Sequence, residues 1–198
     1  MTEAKIRLDS KIGAMVVPST PRRFIARRLF LYDFTNAFVG DPDRGFAILN
    51  EVSEHFGLPF SAIKVVGSAQ TGYSYFSKGD FLPGVSDLDI AIISPTLFQH
   101  YSQEAYAITR GYSDLSRFHR RNGISVAQGF RDYLSTGFFR PDLMPASKLK
   151  NDWFGFFNKL SNKHTELFHD INAGIYLSEG FFEMKNASII DAHGRAQS

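Results

Sequence analysis

The stretches Val65-Val66-Gly67-Ser68 and Ser86-Asp87-Leu88-Asp89-Ile90-Ala91-Ile92-Ile93 decide the fold of this chain. A Gly-Ser turn ends the apolar run of the first stretch, and two carboxylates open the apolar run of the second. Alternate residues of a strand point to the same face, so we expect Asp87 and Asp89 to project together while the apolar residues on either side of Asp89 face a core. Adjacent carboxylates repel each other unless a cation lies between them, and all-oxygen ligands favour Mg²⁺ or Mn²⁺. The pair therefore predicts a divalent metal site. The alternative is a turn in which the two residues only start the strand.

This arrangement resembles the DNA polymerase beta-type nucleotidyltransferase superfamily, whose members carry a Gly-Ser pair after one strand and an Asp-x-Asp pair on the next. Gly67, Ser68, Asp87 and Asp89 match these motifs, and the resemblance covers residues 60–95. It implies transfer of a nucleotide monophosphate from a nucleoside triphosphate, such as ATP, to an unidentified acceptor: a protein, an RNA or a small molecule. The short chain is similar in size to compact bacterial members that act in toxin–antitoxin, phage-defence or resistance systems.

The resemblance also implies residue roles. The triphosphate would bind at Gly67 and Ser68, with Thr71, Gly72 and Ser86 as further nucleotide-binding residues. Asp87 and Asp89 would be catalytic and would bind two metal ions, Mg²⁺ or Mn²⁺, which activate the attacking hydroxyl and neutralise the leaving pyrophosphate.

A third carboxylate from a later strand normally completes the site in this superfamily. The alternating segment 170–177 is predicted to be that strand, and Asp170 is our choice for the third catalytic and metal-binding residue. Asn172 is the alternative, and its amide would add no charge to the site. If Asn172 occupies the third position, the chain is better described as a catalytically inactive nucleotidyltransferase-fold protein that binds a nucleotide or a partner protein as a regulatory subunit.

The connection between the two motifs is longer than is usual in the superfamily, with 18 residues between Ser68 and Asp87. Its segment 73–81 is aromatic and can lie over a nucleotide. A base could then stack on one of its aromatic residues, Tyr73, Tyr75 or Phe76. The alternative is an ordinary surface loop anchored by aromatic residues.

Periodicity and turn signals along the whole chain predict an α/β (α+β) fold, in which helices flank a small mixed β-sheet. We expect one domain over residues 1–198, with a helical region at 20–57, a core at 60–95 and 170–177, and intervening helices within 96–168. Residues 1–19 look irregular, and the proline-bracketed segment 137–145 is predicted to be a loop.

Bulk composition excludes several classes of protein. The chain of 198 residues is 43% hydrophobic with a net charge of +2, so a nucleic-acid partner is not required, although the basic cluster 22–28 leaves that alternative open. Because there are no cysteines, disulfides and thiolate metal sites are excluded. The six histidines show no ligand spacing along the sequence. Without an apolar stretch near 20 residues or an apolar signal segment, we expect a cytoplasmic protein with no membrane partner.

Overall fold

The computed structural model describes residues 2–17 and 19–197. Its strands are β1 (Ile63–Val66), β2 (Tyr73–Ser74), β3 (Gly79–Asp80), β4 (Leu88–Ile93), β5 (Arg120–Arg121), β6 (Ile124–Ser125), β7 (Phe138–Phe139) and β8 (Ile171–Tyr176). Its α-helices are α1 (Glu3–Met15), α2 (Arg22–Arg27), α3 (Pro42–Phe56), α4 (Gly67–Thr71), α5 (Pro95–Ile108), α6 (Ala127–Ser135), α7 (Lys148–Asn162), α8 (Glu179–Asn186) and α9 (Ser188–Gln197). Among the described residues, no helix combines the length and the apolar character needed to cross a membrane.

A four-stranded mixed sheet in the order β1-β4-β8-β7 lies between the helices, and the predicted α+β fold class is confirmed. Strand β4 runs antiparallel to β1 and parallel to β8, while β7 pairs antiparallel with β8 at the sheet edge. Strands β2 with β3 and β5 with β6 form two small hairpins outside this sheet.

The two faces of the sheet are covered by different sets of helices. One face, which includes Leu88, Ile90 and Ile175, packs with α3, α5, α6 and α7 in the larger core. This agrees with the prediction that the apolar residues flanking Asp89 point into a core. The opposite face, which includes Ala91 and Tyr176, packs with α1, α2, α8 and α9 in a second core. The polar residues of that second face lie at the start of β4 and β8 and remain exposed.

Several helix starts follow from local sequence. The side chains of Asp41, Ser94, Ser147 and Ser178 each accept a hydrogen bond from the backbone N–H three residues later, which satisfies an otherwise unpaired donor of the first turn. A proline follows Asp41 and Ser94 at the first helical position, where its missing N–H costs nothing.

Three segments differ from the sequence-based prediction. Residues 3–15 form α1 instead of an irregular segment, because Leu8 and Ile12 are buried in the second core. The segment 137–145 contains β7, whose pairing with β8 is a tertiary contact. The first helix of the helical region predicted at 20–57 is interrupted. It continues from α2 as a π-helical turn over Arg28–Tyr32 and then ends, and a short 3₁₀ helix follows at Asn36–Phe38.

The interruption of that helix has a tertiary cause in Gln70, which is buried at the end of α4. Its amide nitrogen donates to the backbone carbonyls of Leu29 (2.9 Å) and Asp33 (3.1 Å), and its oxygen accepts from the Thr35 hydroxyl (2.7 Å). This set of hydrogen bonds replaces those of a continuing helix and ties the 29–35 segment to α4, the helix that begins with Gly67.

Candidate active site

Asp89 lies between the two motifs that the sequence analysis singled out. In the sheet register it is opposite Val66 of β1 on one side and Asn172 of β8 on the other. Since Gly67 directly follows Val66, the Gly-Ser turn begins beside the Asp89 carboxylate. A Cβ atom placed on Gly67 would lie only 2.9 Å from Asp89 Oδ2, and the Gly67 φ of +68° also favours glycine. The fold thus brings Asp89 into contact with the Gly67-Ser68 turn.

Asp87 lies just before β4. Two backbone hydrogen bonds join the residues at the start of β4 to those that precede β8. Leu88 N donates to Asp170 O (2.8 Å), and His169 N donates to Ser86 O (3.0 Å). As a result, His169 Nδ1 lies 3.4 Å from Asp87 Oδ1 and 3.2 Å from Asp170 Oδ2. All three side chains are exposed, and one ligand atom from each falls within 4.8 Å of the other two. These residues can hold a metal ion through two carboxylates and one imidazole.

His169 is a residue that sequence reasoning missed. Its closeness to Asp87 arises from the parallel register of β4 and β8, which histidine spacing along the chain does not reveal. The available signal was its position next to Asp170, immediately before a predicted strand that carries a candidate ligand.

Asp170 and Asn172 occupy different positions relative to the carboxylate pair. Asn172 is the direct register neighbour of Asp89, whereas Asp170 shares His169 with Asp87. Both side chains are exposed at the same end of the sheet. The site therefore contains three carboxylates, and the position beside Asp89 carries a neutral amide.

A cavity of about 210 Å³ opens over Asp89 and Asn172. On the far side of Asn172 from β4, the chain that follows β7 contributes Arg140, whose guanidinium makes two hydrogen bonds to Asp142 (2.7 and 3.0 Å). Arg140 also lies over the Tyr133 ring, 4.9 Å from its centroid. The proline-bracketed segment thus places the Arg140–Asp142 ion pair in the lining of the cavity that contains Asp89.

The cavity changes the acidity of Asp89. Desolvation by the surrounding protein and, second, the negative charge of Asp87 raise the pKa of the Asp89 carboxyl to about 6, while the positive charge of Arg140 opposes this increase. The carboxylate stays reachable through the cavity, so a bound cation could stabilise its ionised form. A carboxyl group with a raised pKa in a cleft, next to a second carboxylate, is typical of a functional site.

The remaining nucleotide-binding candidates lie at different points around this site. Ser68 is half-buried in the first turn of α4, next to Gly67. At the other end of α4, the Thr71 hydroxyl lies within hydrogen-bonding distance of the carbonyls of Gly67 (3.1 Å) and Tyr73 (2.8 Å). Gly72 faces Asn36, since a Cβ there would lie 2.9 Å from the Asn36 amide oxygen.

The Ser86 hydroxyl accepts a hydrogen bond from Leu82 N (3.0 Å), and its carbonyl accepts the one from His169. Of the five residues, Gly67 lies beside the Asp89 carboxylate, and Ser68 is the next residue along the chain. The groups of Thr71, Gly72 and Ser86 make contacts that hold the surrounding backbone.

The basic cluster at 22–28 is largely neutralised by acidic neighbours. Arg22 pairs with Asp191, Arg27 with Glu183 and Arg28 with Asp33. These contacts give the arginines a structural role in joining α2 to the C-terminal helices and to the π-helical turn.

Comparisons with protein-family models, with curated proteins and with solved structures found no significant match.

Proposed function

We propose that this protein is a metal-dependent nucleotidyltransferase that moves a nucleotide monophosphate from a nucleoside triphosphate to an acceptor hydroxyl. The observation that carries the proposal is the contact between the Asp89 carboxylate and Gly67, with Asp87 two residues earlier at the same end of the sheet. One side of the carboxylate pair thus offers a glycine turn that a phosphate can approach closely, and the other offers an open cavity.

The donor set fits a hard divalent cation such as Mg²⁺ or Mn²⁺. Asp87 and Asp170 supply carboxylate oxygens and His169 an imidazole nitrogen within 4.8 Å of one another. Asp89 lies outside this group of three, and its carboxylate would be a further ligand from the adjoining cavity. Such an ion, when bound, neutralises charge on the triphosphate and lowers the pKa of a coordinated hydroxyl. The raised pKa of Asp89 supports this assignment, since the carboxylate lacks enough nearby positive charge from the protein alone.

The chain's own residues would then position the reactants. The Gly67-Ser68 turn would hold the phosphates, and the acceptor hydroxyl would enter through the cavity beside Asn172, on the opposite side of Asp89. A new bond would form between the acceptor oxygen and the α-phosphorus as the bond to the pyrophosphate oxygen breaks, with the two oxygens in line and the proton of the acceptor hydroxyl passing to a carboxylate of the site. The acceptor can be a protein, an RNA or a small molecule, and we place the activity in the cytoplasm.

Label transfer tests this proposal. The protein is incubated with each of the four α-³²P-labelled ribonucleoside triphosphates and Mg²⁺ or Mn²⁺, alone and with RNA, protein or small-molecule fractions of a lysate. We expect transfer of label together with pyrophosphate release, and loss of both in Asp87→Asn and Asp89→Asn. Glu54→Gln, the same chemical change at an exposed position on α3, should keep full activity. No transfer with any nucleotide and any fraction would count against an enzyme.

The neutral Asn172 beside Asp89 favours a second candidate function, a catalytically inactive fold that binds a nucleotide or a partner protein as a regulatory subunit. The variant Asn172→Asp distinguishes the two functions. If Asp170 completes the site of an active enzyme, the wild type should already transfer the nucleotide. The charge added by Asn172→Asp should then change only the affinity for the metal ion. In an inactive protein, the wild type should bind nucleotide without turnover, and transfer could appear only in the variant.

A further inference from the structure

A second cavity, of about 90 Å³, also reaches Gly67, and the β2–β3 hairpin forms one of its walls. Its lining includes Gly67 and Thr71 of α4, the aromatic residues Tyr73, Tyr75 and Phe76, and the polar residues Asn186 and Ser188 near the junction of α8 and α9. Gly67, which contacts Asp89, therefore also lines a cavity that has an aromatic wall.

The three aromatic residues of this wall differ in their freedom to contact a ligand. Tyr73 and Tyr75 are only 7% and 8% exposed, and both pack in the second core. The Tyr75 hydroxyl donates to Asp9, and the Lys5 ammonium lies within 6 Å of both ring centroids. Phe76, in contrast, is 70% exposed. It lines the cavity without being part of either hydrophobic core.

Resting on the proposed function, we infer that Phe76 is the stacking surface for the base of the bound nucleoside triphosphate. With the phosphates at Gly67 and Ser68, the nucleoside would extend along the surface towards the mouth of the cavity that contains both Gly67 and Phe76, where the exposed Phe76 ring can receive the base. A phenylalanine face stacks on any base, so this contact adds affinity without selecting one base strongly. Asn186 and Ser188 line the same cavity, and their side chains donate to the carbonyls of Phe182 and Lys185 (both 2.9 Å).

Phe34 offers a matched comparison, since it is even more exposed, at 93%. It lines a different cavity, of about 180 Å³, together with Arg7, Lys11 and Thr71, and Gly67 is not part of that lining. Because an aromatic side chain beside two cations could also bind a nucleotide, this cavity is an alternative location for the base. Comparing variants of Phe76 and Phe34 shows which of the two cavities binds it.

Titration with a fluorescent nucleotide in the presence of Mg²⁺ tests the inference on the full chain. Phe76→Ala should weaken binding of the nucleoside triphosphate by about tenfold, as expected for loss of one base-stacking contact, while Phe76→Trp should retain it. Phe34→Ala should bind as the wild type does. Thermal unfolding of each variant checks that the fold is kept, which we expect because both side chains are exposed. Irradiation with 8-azido-ATP should attach label to the peptide that contains residues 73–76.

The outcomes separate this inference from the proposed function. If the wild type binds none of the four nucleotides, both are overturned. If the wild type binds and Phe76→Ala binds equally well, the stacking assignment is wrong and the proposed function stands. If Phe34→Ala is the variant that loses affinity, the base lies in the other cavity and the assignment to Phe76 is likewise wrong.

Discussion

Replacing Asp89 with asparagine should make this protein more stable at neutral pH, although it removes the residue that we place at the centre of the site. The pKa of the Asp89 carboxyl is raised from 3.8 to about 6, first by desolvation and then by the charge of Asp87. The folded protein therefore holds this proton more tightly than the unfolded chain. The resulting contribution to stability is fully present below pH 3.8, falls as the pH rises, and is lost above pH 6.

The size of the effect follows from the same pKa values. The difference between 3.8 and about 6 corresponds to roughly 3 kcal/mol, at about 1.4 kcal/mol for each tenfold change in proton affinity. That figure is an upper limit, because Asp89 is open to the solvent in the cavity and water screens its charge. We therefore expect Asp89→Asn, which removes the ionised carboxylate and keeps the shape, to raise the free energy of unfolding by about 1–2 kcal/mol at pH 7.5.

Urea unfolding of the metal-free protein at pH 4, 5, 6 and 7.5 measures the difference directly. The gain of Asp89→Asn over the wild type should grow with pH and be close to zero at pH 4, while Glu54→Gln should show no such trend. A variant that is less stable than the wild type at every pH would refute the reasoning, since the carboxylate would then be a stabilising partner in the metal-free fold.

Three further predictions concern the metal ion, the Gly67-Ser68 turn and the buried hydrogen bonds of Gln70. Millimolar Mg²⁺ or Mn²⁺ should raise the thermal midpoint of the wild type more than that of Asp89→Asn, as measured by calorimetry; equal shifts would mean that Asp89 is not a ligand. Gly67→Ala should lower the free energy of unfolding by at least about 1–2 kcal/mol, as measured by urea unfolding at two pH values. The cause is the positive φ at position 67 together with the contact of the new Cβ with Asp89 Oδ2. Gln70→Leu should cost about 1–3 kcal/mol, because two backbone carbonyls lose their donor in a buried place, whereas Gln103→Leu on the exposed side of α5 should be nearly neutral.

Strands β1 and β4 could be predicted from sequence because their signals are local. The β-branched run at 63–66 and the alternating start of β4 sort their side chains between the two faces of the sheet without knowledge of other elements. The same alternation predicted β8. The contact between Asp89 and Gly67 follows once β1 and β4 pair side by side.

Other features required tertiary information. Strand β7 has only two residues, and it is a strand because β8 offers an edge for pairing. Helix α1 buries only Leu8 and Ile12, which is too weak an apolar pattern to stand out before the second core is known. His169 joins Asp87 and Asp170 through the register between strands that are far apart in sequence. The choice between Asp170 and Asn172 also depended on that register, which places them beside different members of the carboxylate pair.

Anomalous diffraction from a crystal soaked with Mn²⁺ and a non-hydrolysable nucleoside triphosphate tests the central claim most directly. We expect a Mn²⁺ peak about 2.0–2.3 Å from carboxylate oxygens of both Asp87 and Asp89, with the phosphates against the Gly67-Ser68 turn. An ion bound elsewhere with these two carboxylates unliganded, or a triphosphate bound away from the turn, would contradict it.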